Sequence, residues 1–162
     1  MPRFLRALAH PLVRYGVGAL ALFYGGALIL GLMPPLVRLA GPPPDLWFLG
    51  YGPARLAGYL EALGAGGRAL YRVFLLADLG FAALYGPALA GWLAWLYSRP
   101  GPAGWALAAA LLDLGEDLLL LADLSAPRPA LAVLAGYLTF FKWATLAYAV
   151  FALAVGLWTR RR

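Results

Sequence analysis

The sequence predicts an all-α membrane protein, a bundle of four transmembrane helices with a short interfacial helix in its first loop. Three observations predict it. Hydrophobic residues make up 64% of the 162 residues and charged residues only 12%, where soluble chains run at roughly 45–50% and 25%. A soluble domain of this length keeps much of its surface in water and has nowhere to hide that much apolar area. Four apolar segments approach or exceed the roughly 20 residues that cross a bilayer core as a helix, and Pro and Gly punctuate each junction.

The spans are read as residues 12–33, 71–97, 105–124 and 130–158, in a single membrane domain covering 1–162. The first is expected to stop at Pro34-Pro35 and the second before Ser98-Arg99-Pro100-Gly101-Pro102. The first apolar run exceeds the usual 7–15 residues of a signal peptide and lacks a small-x-small cleavage site, so it is read as retained. Between the first two spans lies an outer loop, 34–70. Pro42-Pro43-Pro44 keeps its start out of a helix. Leu46, Trp47, Phe48 and Tyr51 form an aromatic cluster suited to the headgroup level. Leu56, Tyr59, Leu60 and Leu63 then recur at helical spacing, which predicts a short helix on the membrane face capping the bundle.

Basic residues set the expected orientation. Arg3, Arg6 and Arg14 precede the first span, Arg99 lies between the second and third, and Arg160-Arg161-Arg162 closes the sequence. Placing them all inside puts both termini on the cytoplasmic side. Arg38, Arg55, Arg68 and Arg72 in the first loop oppose that reading. Twelve of the thirteen basic residues are Arg, and the apolar ones are mainly Leu and Ala; that bias fits a GC-rich bacterial genome and hence the bacterial inner membrane.

Composition excludes several functions. With no Cys there is no disulfide, thiolate site or Cys nucleophile, and the one His, His10, leaves no His-based metal site. His10 reads as an interfacial residue. The net charge of +6 comes from arginines flanking apolar spans, which suits anionic lipid headgroups. No nucleic-acid partner is expected. Membrane lipids are the expected partners, with other membrane subunits or self-association beside them. No cofactor and no metal site is assigned.

The informative feature is charge inside the spans. Asp78 falls in the second, Asp113, Glu116 and Asp117 in the third, and Thr139 and Lys142 in the fourth. An ionised group at mid-bilayer costs on the order of 2.5–3.5 kcal/mol by insertion scales, so these groups must face inward and find partners. Spacings of three and four put Asp113, Glu116 and Asp117 on one helical face. Counted at about 1.5 Å per residue from the outer ends, the three helices bring these groups to one layer. Tyr85, seven residues past Asp78, shares its face, and Tyr24 lies at similar depth; either has a phenol to donate. Pro87 is expected to kink the second span and free the carbonyl of Ala83. Four carboxyls against one ammonium cannot all ionise in a low dielectric. Lys142 is expected to pair with one of them, Asp113, and at least one other to stay protonated.

Four readings of this layer stand open. It is a hydrogen-bonded network fixing helix register or scaffolding a partner subunit. It is a site for a lipid-like molecule, either bound or processed by acid/base chemistry, with Glu116, Asp117 and Lys142 as catalytic candidates. It carries protons or cations. Or it holds a divalent metal, for which oxygen ligands favour Mg, Ca or Mn over Zn. The leading reading is a non-catalytic lipid-binding or complex-associated protein. Smaller features read as packing: Gly18, Ala21 and Gly25 form a small-residue stripe, and Trp92, Trp95, Tyr97, Trp105 and Trp158 an aromatic belt.

The pattern Asp78-x-x-Phe81-x-x-x-Tyr85, Asp113-x-x-Glu116-Asp117, Thr139-x-x-Lys142-Trp143 resembles one in small uncharacterised bacterial four-span membrane proteins. There an Asn commonly follows the Glu, where this chain has Asp117. The resemblance covers roughly residues 71–143 and implies the fold without an activity. A looser topological analogy is to the sterol-isomerase-like four-helix membrane family, whose catalytic His pattern has no counterpart here, so no activity transfers.

Overall fold

A computed structural model describes residues 3–160; Arg161 and Arg162, part of the basic terminus used for orientation, lie outside the described residues. The described residues are helical with no strand: α1 (Arg3–Leu8), α2 (Pro11–Ala27), α3 (Met33–Ala40), α4 (Pro53–Tyr97), α5 (Pro100–Ser125) and α6 (Pro129–Arg160), with a π turn at Leu28–Leu32 and a 3₁₀ turn at Pro44–Leu46. Three helical stretches, Pro11–Ala40, Pro53–Tyr97 and Pro129–Arg160, are long and apolar enough to cross a membrane. Large apolar side chains point outward along them, with Leu22, Phe23 and Leu30 each more than three-quarters exposed, which water would penalise and lipid does not. The fourth expected span, α5, has the length at 26 residues but carries Asp113, Glu116, Asp117 and Asp123.

Helix starts follow sequence chemistry. Proline opens α2, α4, α5 and α6, where its missing N–H costs nothing and its fixed φ suits the first turn. His10 is not merely interfacial: its Nδ1 accepts from the Leu12 amide and caps α2. At the tight α5–α6 link, Asp123 accepts from the Arg128 amide at 2.8 Å.

One boundary differs from expectation. Pro34-Pro35 does not end the first long helix, because the π turn Leu28–Leu32 resets the ladder just before it. Both prolines then sit in the first turn of α3, where no amide is required. The short helix expected over 54–63 is present as the opening stretch of α4, set off from the rest by a break at Gly64 (φ 61°, ψ −171°), a conformation that penalises any residue with a Cβ. Arg68 Nε donates to the Leu60 carbonyl across this break at 2.8 Å, satisfying an acceptor the interruption frees.

Helices α4, α5 and α6 pack on one another as the centre of the bundle, and α2 packs chiefly on α4. The small-residue stripe of α2 is used there: Gly25 receives the ring of Phe81 and Gly18 approaches Trp92. Leu36, Leu56, Tyr71, Phe74, Leu75 and Leu120 form the core near the α3–α4 connection. Ala90, Leu93, Ala94, Ala103 and Ala106 form that of the opposite end, sealed by Leu5 and Leu8 of α1.

The α3–α4 connection (41–52) packs against α6 and caps one end of the bundle. Gly50 and Gly136 meet backbone to backbone, and a Cβ on Gly136 would strike the carbonyl of Tyr51. Trp143 Nε1 donates to the Asp45 carbonyl at 2.8 Å, and Phe48 packs on the Trp143 ring. The aromatic cluster assigned to the headgroup level therefore closes one end of the interior.

Candidate functional site

Lys142, delivered by α6, is the hub. Its Nζ lies 2.7 Å from Asp113 Oδ1 and 2.6 Å from Glu116 Oε2. The expected pair with Asp113 is thus formed, and Glu116 shares the ammonium. Glu116 is fully enclosed. Its other oxygen accepts from the Thr139 hydroxyl at 2.5 Å and, more weakly at 3.4 Å, from the Tyr51 phenol. Thr139 Oγ1 also lies 3.0 Å from the Ala135 carbonyl one turn back. Two acids, one ammonium and two hydroxyls make a connected hydrogen-bonded set in which both carboxyls share the one cation.

Asp117 is treated differently. It is fully buried next to Glu116, yet neither carboxylate oxygen has a hydrogen-bond partner on the protein. One oxygen each from Asp78, Asp113 and Asp117 fall within 4.8 Å of one another. That spacing suits a shared proton or a hard cation bound by oxygen, and these three are the residues that would hold one.

Asp45 and Tyr51 belong to this region, though the sequence reading does not assign either to the site. Asp45 is buried on the inward-folded connection, and its Oδ1 has no partner on the protein. Burial pushes its carboxyl from 3.8 up to about 7, against the pull of the Lys142 ammonium. Burial, followed by the charge of Glu116, likewise raises the Tyr51 phenol above its ordinary value. Nothing in the local sequence of Asp45 marks it as buried, since a long-range backbone contact brings it in.

Beside the ion pairs lies a cavity of about 310 Å³. Asp45, Asp78, Asp113, Lys142 and Tyr85 supply its polar lining. Its remaining wall is apolar: Leu28, Ile29, Met33, Phe74, Phe81 and Leu146 among others. The Tyr85 hydroxyl is enclosed without a partner on the protein. The cavity is lined from α2 and α6 at once, though α2 rests chiefly on α4. It is therefore a cleft between two neighbours that do not close on each other, and half-exposed Ile29 stands in its wall.

Asp78, Asp113, Glu116, Asp117, Thr139, Lys142 and Tyr85 are thus gathered in one region from three helices. Two smaller expectations fail. Tyr24 lays its hydroxyl against Gly80 instead of entering the cluster. Ala83, whose carbonyl Pro87 was expected to free for the site, is exposed and not part of the cavity wall.

Comparison with family models, with curated proteins and with solved structures finds no match for this chain.

Proposed function

We propose that the chain is a four-span protein of the bacterial inner membrane, with both termini cytoplasmic, that binds a lipid-like molecule in the cleft between α2 and α6. The observation that carries this reading is the cleft itself. Its apolar wall leads to a polar end made by Asp45, Asp78, Asp113, Lys142 and Tyr85. An apolar pocket with a few convergent polar groups is the usual form of a small-molecule site. A network serving only to fix helix register has no need of a cavity beside it.

The site's chemistry narrows the ligand. Acidic groups outnumber the single ammonium, and that ammonium is already engaged by Asp113 and Glu116. The ligand's polar end is therefore a hydrogen-bond donor, a hydroxyl or an amine, and not an anion. Its body is a hydrocarbon able to enter from the bilayer. α5 counts as the fourth span because its acids face the interior: Asp113, Glu116, Asp117 and Asp123 are all buried.

The test is occlusion. Ile29→Trp fills the mouth without touching the ion pairs. Wild type purified from its membranes in mild detergent is expected to carry a hydroxyl- or amine-bearing lipid, seen by mass spectrometry, that Ile29→Trp lacks at unchanged melting temperature. Equal lipid content in both proteins would defeat the reading.

A second reading, an acid/base enzyme acting on such a molecule, draws on the contrast between adjacent Glu116, held by Lys142 and Thr139, and partnerless Asp117. Neighbouring carboxyls in opposed environments are how one site supplies both an acid and a base. It ranks second because neither Glu116 nor Asp117 lines the cleft. Asp117→Asn separates the two: binding retained with loss of turnover supports an enzyme.

A further inference from the structure

The opposite end of α2 carries a second arrangement, independent of the buried acids. Arg14 is only 4% exposed. Its guanidinium sits 4.3 Å from the ring centre of Trp95 and 5.2 Å from that of Trp92. Arg160, from the end of α6, places its own guanidinium 3.7 Å from the same Trp95 ring. Two cations on one indole lie no more than about 8 Å apart. Neither pairs with a carboxylate among the described residues, where Lys142 makes the only salt bridges. Arg14 Nε and Nη1 are enclosed with no hydrogen-bond partner. Arg3, Arg6 and Arg99 lie toward the same end, and none of the seven acidic residues does.

Cation–π contact offsets part of the desolvation of such a guanidinium, but it does nothing for the repulsion between two of them. An anion does both. A phosphate accepts charge-assisted bonds of about 2.7–2.9 Å on several oxygens, so one phosphate bridges two guanidiniums at this separation.

A groove of about 510 Å³ starts at the same place. It runs between α2 and α4 from Trp92 and Gly18 to Phe81 and Gly25, where it meets the wall of the cleft. Arg14, Gly18, Ala21 and Gly25 follow one helical face, so the guanidinium stands at the groove's end. Eleven residues separate Phe81 from Trp92, roughly 16 Å at 1.5 Å per residue, about half of a ~30 Å hydrocarbon core. The groove has the length of one leaflet.

We propose that Arg14 and Arg160, gathered on the ring of Trp95, bind the phosphate of an anionic phospholipid whose acyl chain lies in the α2–α4 groove. This lipid is distinct from the cleft ligand: its head is an anion, which the acid-rich cleft rejects. The site stands whether or not the cleft binds anything.

The test uses delipidated full-length protein in detergent, titrated with phosphatidylglycerol, with phosphatidylcholine of the same chains, and with inorganic phosphate. Bound lipid is counted by native mass spectrometry and melting temperature is followed alongside. Phosphatidylglycerol is expected to bind with 1:1 saturation and raise the melting temperature, and the other two to do neither. Diffuse attraction to a basic surface is worth about fivefold in affinity per arginine. Arg14→Gln and Arg160→Gln are each expected to lose tenfold or more, against fivefold or less for Arg6→Gln and Arg99→Gln, which are exposed and away from the ring. Equal losses at all four positions would reduce the site to diffuse attraction. Equal binding of phosphatidylcholine would remove the role of charge, and equal binding of inorganic phosphate the role of the chain. Should Arg14→Gln fail to fold, exposed Arg160 carries the same comparison.

Discussion

Replacing Asp45 with Asn tests whether the inward-folded connection buries an acid at the site. The Asp45 carboxyl ordinarily titrates at 3.8 and is pushed up to about 7 in the folded protein by burial. A carboxyl whose folded value is raised binds its proton more tightly in the native state. Between those two values the native state therefore holds more protons than the unfolded one, and stability falls as pH rises. The loss begins near pH 4, grows to about pH 7 and is constant above. Each pH unit in that window is worth about 1.4 kcal/mol, so ionising Asp45 costs the folded state roughly 4 kcal/mol at most. Asn cannot ionise, so Asp45→Asn escapes this cost. The variant is expected to match wild type near pH 4 and to exceed it by a few kcal/mol at pH 8. Groups that do not interact with Asp45 cancel in the difference between the two proteins, whereas Lys142, Glu116 and Asp113 interact with it. Thermal unfolding in one detergent at pH 4.5, 6 and 8 reads it, at roughly 2–4 °C per kcal/mol for a chain of this size. A difference unchanged between pH 4.5 and 8 would mean Asp45 stays in contact with water, and the inward placement of residues 41–52 would be wrong.

Lys142→Met strips the counter-charge from Asp113 and Glu116 and is expected to cost roughly 3–5 kcal/mol, as breaking buried ion pairs does; adding Asp113→Asn should restore part of it, measured by the same unfolding assay. Gly136→Ala drives a methyl group into the Tyr51 backbone and is expected to destabilise by roughly 1–3 kcal/mol. Gly16→Ala, with nothing near its new methyl, should be neutral or stabilising by about 0.5–1 kcal/mol. Gly64→Ala forces a Cβ into the positive-φ break of α4 and is expected to cost about 1–2 kcal/mol, with faster proteolysis near residue 64 as its local signature.

How much of this was legible in sequence follows from what local pattern encodes. Asp113, Glu116 and Asp117 share a face because helical geometry fixes it, and Lys142 meets Asp113 because depth counted along rigid helices is nearly a coordinate. The path of residues 41–52 is not local. Gly50 and Gly136 are unremarkable in their own segments, and only their mutual approach lets the chain turn inward. Asp45 and Tyr51 were therefore not assigned to the site, though half-buried Trp47 and exposed Phe48 of the same segment stay at its outer side. Pro34-Pro35 misled for a related reason: proline ends a helix unless the preceding turn is rewound, and no residue in Leu28–Leu32 advertises a π turn.

The inward connection also bears on the route by which the site is reached. Tyr51 bonds to Glu116, Asp45 to Trp143, and Phe48 covers the Trp143 ring, so residues 41–52 close the end of the site facing the α3–α4 side. The opposite end is sealed by Leu5, Leu8 and the alanine-rich contact of α4 with α5. Between the two ends lies the cleft, with half-exposed Ile29 in its apolar wall and Asp45, Asp78, Tyr85, Asp113 and Lys142 as its polar groups. On the reading proposed above, a ligand dissolved in the bilayer reaches the cleft past Ile29 without crossing either closed end, which is why that reading draws its partner from the membrane.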